Sequence, residues 1–90
     1  MAAIVKKACA GTMESSDAYV EVEPAAEAEL TVESAVYERF GQAIHAAAEE
    51  VLREWNVTNA KVRIVDQGAL DCVIRARVET ALRRGMEADR

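Results

Sequence analysis

The sequence predicts an α+β fold: a small ββαβα sandwich in which a three-stranded mixed sheet carries two helices on one face, preceded by an extended N-terminal arm. Three observations carry that expectation. Apolar residues alternate singly at 18–23, 30–33 and 61–65, recur every three or four positions at 36–55 and 70–82, and follow no period before Asp17.

Met1 to Asp17 ends in small and polar residues and reads as a flexible arm leading into an exposed loop. Ala18, Val20 and Val22 alternate with Tyr19, Glu21 and Glu23, the period of a strand with one buried face, and Pro24 stops it. Leu30 and Val32 alternate with Glu29, Thr31 and Glu33, which predicts a second strand and a hairpin joining the two. Ser34 is placed to cap a helix. That helix carries Val36, Phe40, Ile44, Ala47, Val51 and Trp55 on one face, with Asn56 as a left-handed terminator. Val62 and Ile64 make a third strand, which leaves through the turn Asp66-Gln67-Gly68. A second helix follows with Leu70, Val73, Ile74, Val78, Ala81 and Leu82 on its core face; Asp71 and the pair Arg83 and Arg84 complement its dipole, and Gly85 ends it. The second and third strands flank a helical crossover, which predicts a parallel, right-handed connection, with the first strand between them.

Ninety residues make one domain: an arm and loop over 1–17, a compact core over 18–85 and a frayed tail over 86–90. A chain of this size buries only about 60% of its unfolded surface, which leaves little room for a deep pocket and argues against a self-contained enzyme. The net charge is −5, and it divides unevenly: residues 1–60 hold four bases and eleven acids, residues 61–90 seven bases and five acids. An acidic chain without a clustered basic face is repelled by phosphate backbones, so nucleic acid and anionic membrane are poor partners. Cys9 and Cys72 have no ligand-spaced neighbours, and Met1 to Ala10 lacks the apolar run of a signal peptide. These features point to a reducing, cytoplasmic setting, in which the sequon Asn56-Val57-Thr58 is incidental.

Ala10-Gly11-Thr12-Met13-Glu14-Ser15-Ser16-Asp17 offers two hydroxyls on a glycine-led, acid-flanked turn, the most freely presented nucleophiles in the chain. Read from the residues alone, Ser15 and Ser16 are either hydroxyls of a solvated turn or acceptors of a covalent modification. His45, the only histidine, reads as a surface residue, since no third group or glycine-rich oxyanion loop completes a triad with Ser15. Cys72 lies one residue from the core face and reads as a small buried or half-buried side chain. Arg75, Arg77, Arg83 and Arg84 spread around their helix and read as a solvated face; the competing reading sends one or two of them to a phosphate or a neighbouring subunit.

Two segments together carry a resemblance. Ala10 to Asp17 is similar to the Ala-Gly-Thr-Leu-Glu-Ser-x-Asp pattern of the citrate lyase acyl carrier protein family, the gamma subunit. Asp66-Gln67-Gly68-Ala69-Leu70-Asp71-Cys72 through Arg75-Ala76-Arg77 is similar to that family's Asp-Lys-Gly-Ala-Leu-Asp-Cys-x-x-Arg-Ala-Arg, and Phe40-Gly41-x-Ala43-Ile44 matches between them. Met13 and Gln67 depart from the usual leucine and lysine. The resemblance implies a carrier without catalysis of its own. It further implies a phosphoribosyl-dephospho-CoA group linked through a phosphodiester to Ser15, with Ser16 as the fallback, attached by a prosthetic-group transferase. The implied partners are citrate lyase alpha and beta subunits in a hetero-oligomer, between which the group bears acetyl and citryl thioesters. Malonate decarboxylase uses a related carrier, and a non-covalent regulatory domain is the alternative of another class. A free hydrolase using Ser15 and His45 is the weakest alternative.

Overall fold

A computed structural model describes residues 3–87 and has the expected α+β class, with four strands instead of three. The elements are β1 (Ala8–Gly11), β2 (Ala18–Pro24), β3 (Glu29–Ser34), α1 (Tyr37–Glu54), β4 (Ala60–Asp66) and α2 (Asp71–Met86). The sheet order is β1-β2-β4-β3, with β3 and β4 parallel and the other neighbours antiparallel.

This order corrects two expectations. The strands at 18–24 and 29–34 form no hairpin, and the strand expected in the middle gives that place to β4. Burial explains the outcome. Along β4, Ala60, Val62, Ile64, Val65 and Asp66 are all buried, whereas β3 offers only the half-buried Leu30 and Val32 and suits an edge. The link from β2 to β3 therefore passes the end of β4, where the Ala25 amide donates to the Asn59 carbonyl at 2.9 Å.

The fourth strand comes from the stretch expected to be an arm. Ala8, Cys9 and Ala10 are too small to display an alternating pattern, yet they pair in register with Val22, Glu21 and Val20 and close the outer edge of β2. Ala10 and Ile4 are buried beside α2, and the Val5 and Lys6 amides donate to the Gly85 carbonyl at 2.9 and 3.3 Å. Gly85 thus does not end α2, which runs on through Met86. A Cβ at this position would come within 3.0 Å of Val22 Cγ2 and 3.3 Å of Ile4 Cγ2, so the glycine permits close approach. Of the expected frayed tail, Met86 belongs to α2 and residues 88–90 lie outside the described residues.

Both helices cover the sheet face that carries Val20, Val22, Val62 and Ile64, and Ile44, Ala47, Ala48, Val51, Ile74, Val78 and Leu82 fill the layer between. The opposite face carries polar pairs, including the cross-strand Arg63 Nε to Glu33 bond at 2.7 Å and, along β2 itself, the Tyr19 hydroxyl donating to Glu21 at 2.8 Å. α1 starts at Tyr37, three residues after the expected cap; Ser34 closes β3 instead, its Oγ accepting the Val36 amide at 3.1 Å. At the other end Asn56 takes φ 55°, with Val57 N–H to Leu52 O at 2.9 Å and Asn56 N–H to Arg53 O at 3.1 Å, the paired bonds of a Schellman motif.

Three residues of the predicted core stripes are not covered. Val36, Phe40 and Leu70 are 38%, 48% and 72% exposed. They flank a cleft of about 480 Å³ left between the first turns of α1 and the entry to α2.

Candidate functional site

The hairpin loop between β1 and β2 is built around one carboxylate. Asp17 Oδ2 accepts the Thr12 amide at 3.1 Å and the Thr12 hydroxyl at 2.8 Å, and Oδ1 accepts the Ala18 amide at 2.7 Å. Arg77 reaches across from α2 and grips both oxygens, Nε to Oδ1 at 2.9 Å and Nη2 to Oδ2 at 3.1 Å. A planar guanidinium fork matches a carboxylate in this way, with two parallel bonds that the single nitrogen of a lysine does not provide. The Arg77 bonds, then the Thr12 hydroxyl and the Ala18 amide, hold the Asp17 carboxyl well below the usual carboxylate range.

Gly11 makes this junction possible. Its φ of 89° is left-handed, and a Cβ there would collide with the Ala18 carbonyl oxygen and sit 3.0 Å from Arg77 Cδ. Thr12 extends the frame by accepting the Glu14 amide on its hydroxyl at 3.2 Å. Residues Glu14-Ser15-Ser16-Asp17 then make a turn, with the Asp17 amide on the Glu14 carbonyl at 3.1 Å and Ser16 at φ 68°, the positive φ that a type II turn needs at its third residue. Ser16 is fastened further, its amide donating to the Gln67 carbonyl at 2.8 Å while the Gln67 amide donates to the Asp17 carbonyl at 2.9 Å.

Ser15 and Ser16 are both exposed on this frame. Among the described residues no side-chain hydrogen bond occupies the Ser15 hydroxyl, whereas that of Thr12 is fully used. The arrangement offers two solvent-facing hydroxyls, those of Ser15 and Ser16, on a turn fixed at both ends, with the Asp17–Arg77 ion pair beside it. His45 takes no part in it: it pairs with Glu49 at 2.7 Å on α1.

The four arginines, read as a solvated face balanced by Glu79 and the acidic first half, have defined partners, and Arg75 and Arg77 find theirs among the acids of that half. Arg75 binds Glu50 and Glu54 of α1 at 3.2 and 3.1 Å, Arg83 stacks over Trp55 at 5.9 Å, and Arg84 donates to the Cys9 carbonyl at 2.9 Å. Cys72 is exposed, contrary to the buried or half-buried position expected of it, because it faces away from the sheet beside the equally exposed Asp71. Among the described residues no group of three or more His, Cys, Asp or Glu side chains could hold a metal, and no helix is long and apolar enough to cross a membrane.

Sequence reasoning missed Arg77 and Gln67 as parts of the site. The two segments that carried the family resemblance meet here in space: Asp17 from one is clamped by Arg77 of the other, and Gln67 is stitched to Ser16 and Asp17. The available signal was the opposite charge of the acid that closes the first segment and an arginine of the second.

Comparison with known proteins gives the family. The sequence model of the family described as the malonate decarboxylase delta subunit (MdcD), an acyl carrier protein, matches residues 5–85. The citrate lyase acyl carrier protein of Treponema denticola is 49% identical over 84 residues, covering 93% of this chain and 97% of that protein. That of Cronobacter sakazakii is 49% identical over 86 residues, covering 94% and 89%. Among solved structures, a chain of a Pseudomonas malonate decarboxylase hetero-tetramer has the same fold at a TM-score of 0.75, with 22% identity and coverage of 92% of this chain and 87% of that one. The chain belongs to this acyl carrier family, that of the malonate decarboxylase delta subunit and the citrate lyase acyl carrier protein, whose members are non-catalytic subunits of larger complexes.

Proposed function

We propose that this acyl carrier protein holds its prosthetic group, phosphoribosyl-dephospho-CoA, in phosphodiester linkage on Ser15. The observation that carries the reading is an exposed, unengaged hydroxyl on a loop whose frame is fixed by Asp17 and Arg77. The residues fit such a group: Ser15 is exposed, and the Asp17 carboxylate two residues on is already paired with the Arg77 guanidinium, which lessens the repulsion a phosphodiester on Ser15 meets from it. Ser16 is the poorer acceptor because its left-handed backbone and its bond to Gln67 fix it against the second loop.

When bound, the group supplies a thiol for thioester exchange. The chain itself presents, orients and tethers. A tether of this kind holds the reacting end at millimolar effective concentration for every active site within reach. The partners we propose are the citrate lyase alpha and beta subunits in a hetero-oligomer, supported by relatives 44–49% identical that carry that enzyme's name. A malonate decarboxylase complex is the second reading, supported by the family description. A cytoplasmic setting accords with two exposed, unpaired thiols.

The test is intact-mass spectrometry of protein co-produced with its transferase, followed by peptide mapping. A single large adduct on the 12–17 loop is expected. Ser15→Ala is expected to abolish it while changing stability by no more than about 0.5 kcal/mol, as for other exposed loop positions. An adduct that persists in Ser15→Ala moves the site to Ser16.

A further inference from the structure

The cleft between the helix starts is apolar, uncovered and tied to the serine loop. Val36 and Phe40 form one wall, Ala69 and Leu70 the other, and the buried Ile44 and Ile74 form the floor. Asp66 also borders it, but both its oxygens are engaged, Oδ1 by the Ala69 amide at 2.9 Å and Oδ2 by the Ser34 hydroxyl at 2.8 Å. The rim at Gly68 adjoins Gln67, whose carbonyl accepts the Ser16 amide at 2.8 Å. With consecutive Cα atoms about 3.8 Å apart, the path from Ser15 to the rim is on the order of 10 Å.

Resting on the reading of Ser15 given above, we infer that this cleft is a docking site for the arm attached there, with its neutral end, free thiol or acyl thioester, lying between Phe40 and Leu70. Size selects this occupant. A volume of about 480 Å³ lies within the range of small-ligand sites, whereas a stable protein partner needs roughly 800 Å² on each side, far more than these few side chains provide. Tethering supplies the rest, because at an effective concentration in the millimolar range an intrinsic dissociation constant of about a tenth of a millimolar keeps the cleft about 90% filled. Docking removes the exposed apolar faces of Phe40 and Leu70 from water and screens the thioester from hydrolysis. Asp71, on the rim, disfavours an acyl group that carries its own carboxylates.

The experiment uses holoprotein bearing Cys9→Ser and Cys72→Ser, so that the arm carries the single thiol, with the adduct first mapped by mass spectrometry. Amide shifts between apo and holo protein are then recorded, together with the rate at which a small neutral maleimide caps the thiol. Docking predicts shifts at Phe40, Ala43, Leu70 and Ile74 besides those of the 12–17 loop. It also predicts that Phe40→Ser and Leu70→Ser, both at exposed positions, speed capping about tenfold if the arm is docked about 90% of the time. An adduct on Ser15 with shifts confined to 12–17 and equal capping rates in all three proteins overturns the inference and leaves the attachment reading intact. An adduct elsewhere overturns the attachment reading itself.

Discussion

Gly11→Ala and Gly68→Ala place the same methyl group on two left-handed glycines, at φ 89° and 90°, in opposite surroundings. At Gly68 nothing lies within 4 Å of the added carbon. The cost there is backbone strain of about 1–2 kcal/mol, reduced by the smaller entropy of the unfolded alanine chain to roughly 1 kcal/mol net. At Gly11 the methyl meets the Ala18 carbonyl, a backbone atom, and relief requires moving the Gly11–Tyr19 end of the β1–β2 ladder. Losing a pair of ladder bonds at ~1 kcal/mol each, on top of the strain, brings the total to about 3 kcal/mol. Urea unfolding reads the difference as a midpoint about 1 M lower for Gly11→Ala than for Gly68→Ala, at an m-value of 1–3 kcal/mol/M taken as roughly 2. Thermal melts separate the two by about 10 °C. Equal midpoints would refute the claim that Gly11 is required by close approach of Ala18 and Arg77.

Two further perturbations test the frame. Arg77→Leu removes the fork but leaves the Thr12 and Ala18 bonds, so the Asp17 carboxyl is expected to titrate higher than in the parent while staying below its ordinary 3.8, read by carboxyl NMR. Because the folded-state pKa of Asp17 is depressed, its contribution to stability is present above 3.8 and is lost as pH falls below that value; urea midpoints of the parent should decline there, and those of Arg77→Leu should be flatter. An unchanged low titration in Arg77→Leu means that another group sets the Asp17 pKa. Asp66→Ala removes the acceptor for the Ser34 hydroxyl and the Ala69 amide and is expected to cost about 1–3 kcal/mol in chemical denaturation, as for buried donors left unmet. A cost below 0.5 kcal/mol, the range of ordinary surface changes, means that water replaces both bonds.

Periodicity made α1, α2 and three strands legible because each buries a long, regular face. β1 was not legible: four small residues carry no alternation, and their strand exists because β2 presents a free edge and α2 a covering surface. Sheet order was hidden for a similar reason, since it depends on which strand can be buried on both faces, and Val65 and Asp66 reveal that only once packed. Phe40 and Leu70 fit the helical stripe but lie where the first turns part, which a period cannot report. Gly85 reads as a stop and acts as a contact point for Ile4 and Val22. At the site, Ser15 was visible as an exposed hydroxyl, whereas the clamp beneath it joins residues 60 apart in sequence and shows no local pattern.

Because β4 separates β2 from β3, the first 59 residues have no sheet they can finish by themselves, and Arg77 comes later still. During synthesis, or after cleavage near the end of the chain, the serine turn lacks its far anchor even though every residue of the turn is present. On the proposed reading of Ser15, a transferase that recognises the turn by shape would then pass over truncated or half-made copies, and the group would be committed only to chains already complete through α2.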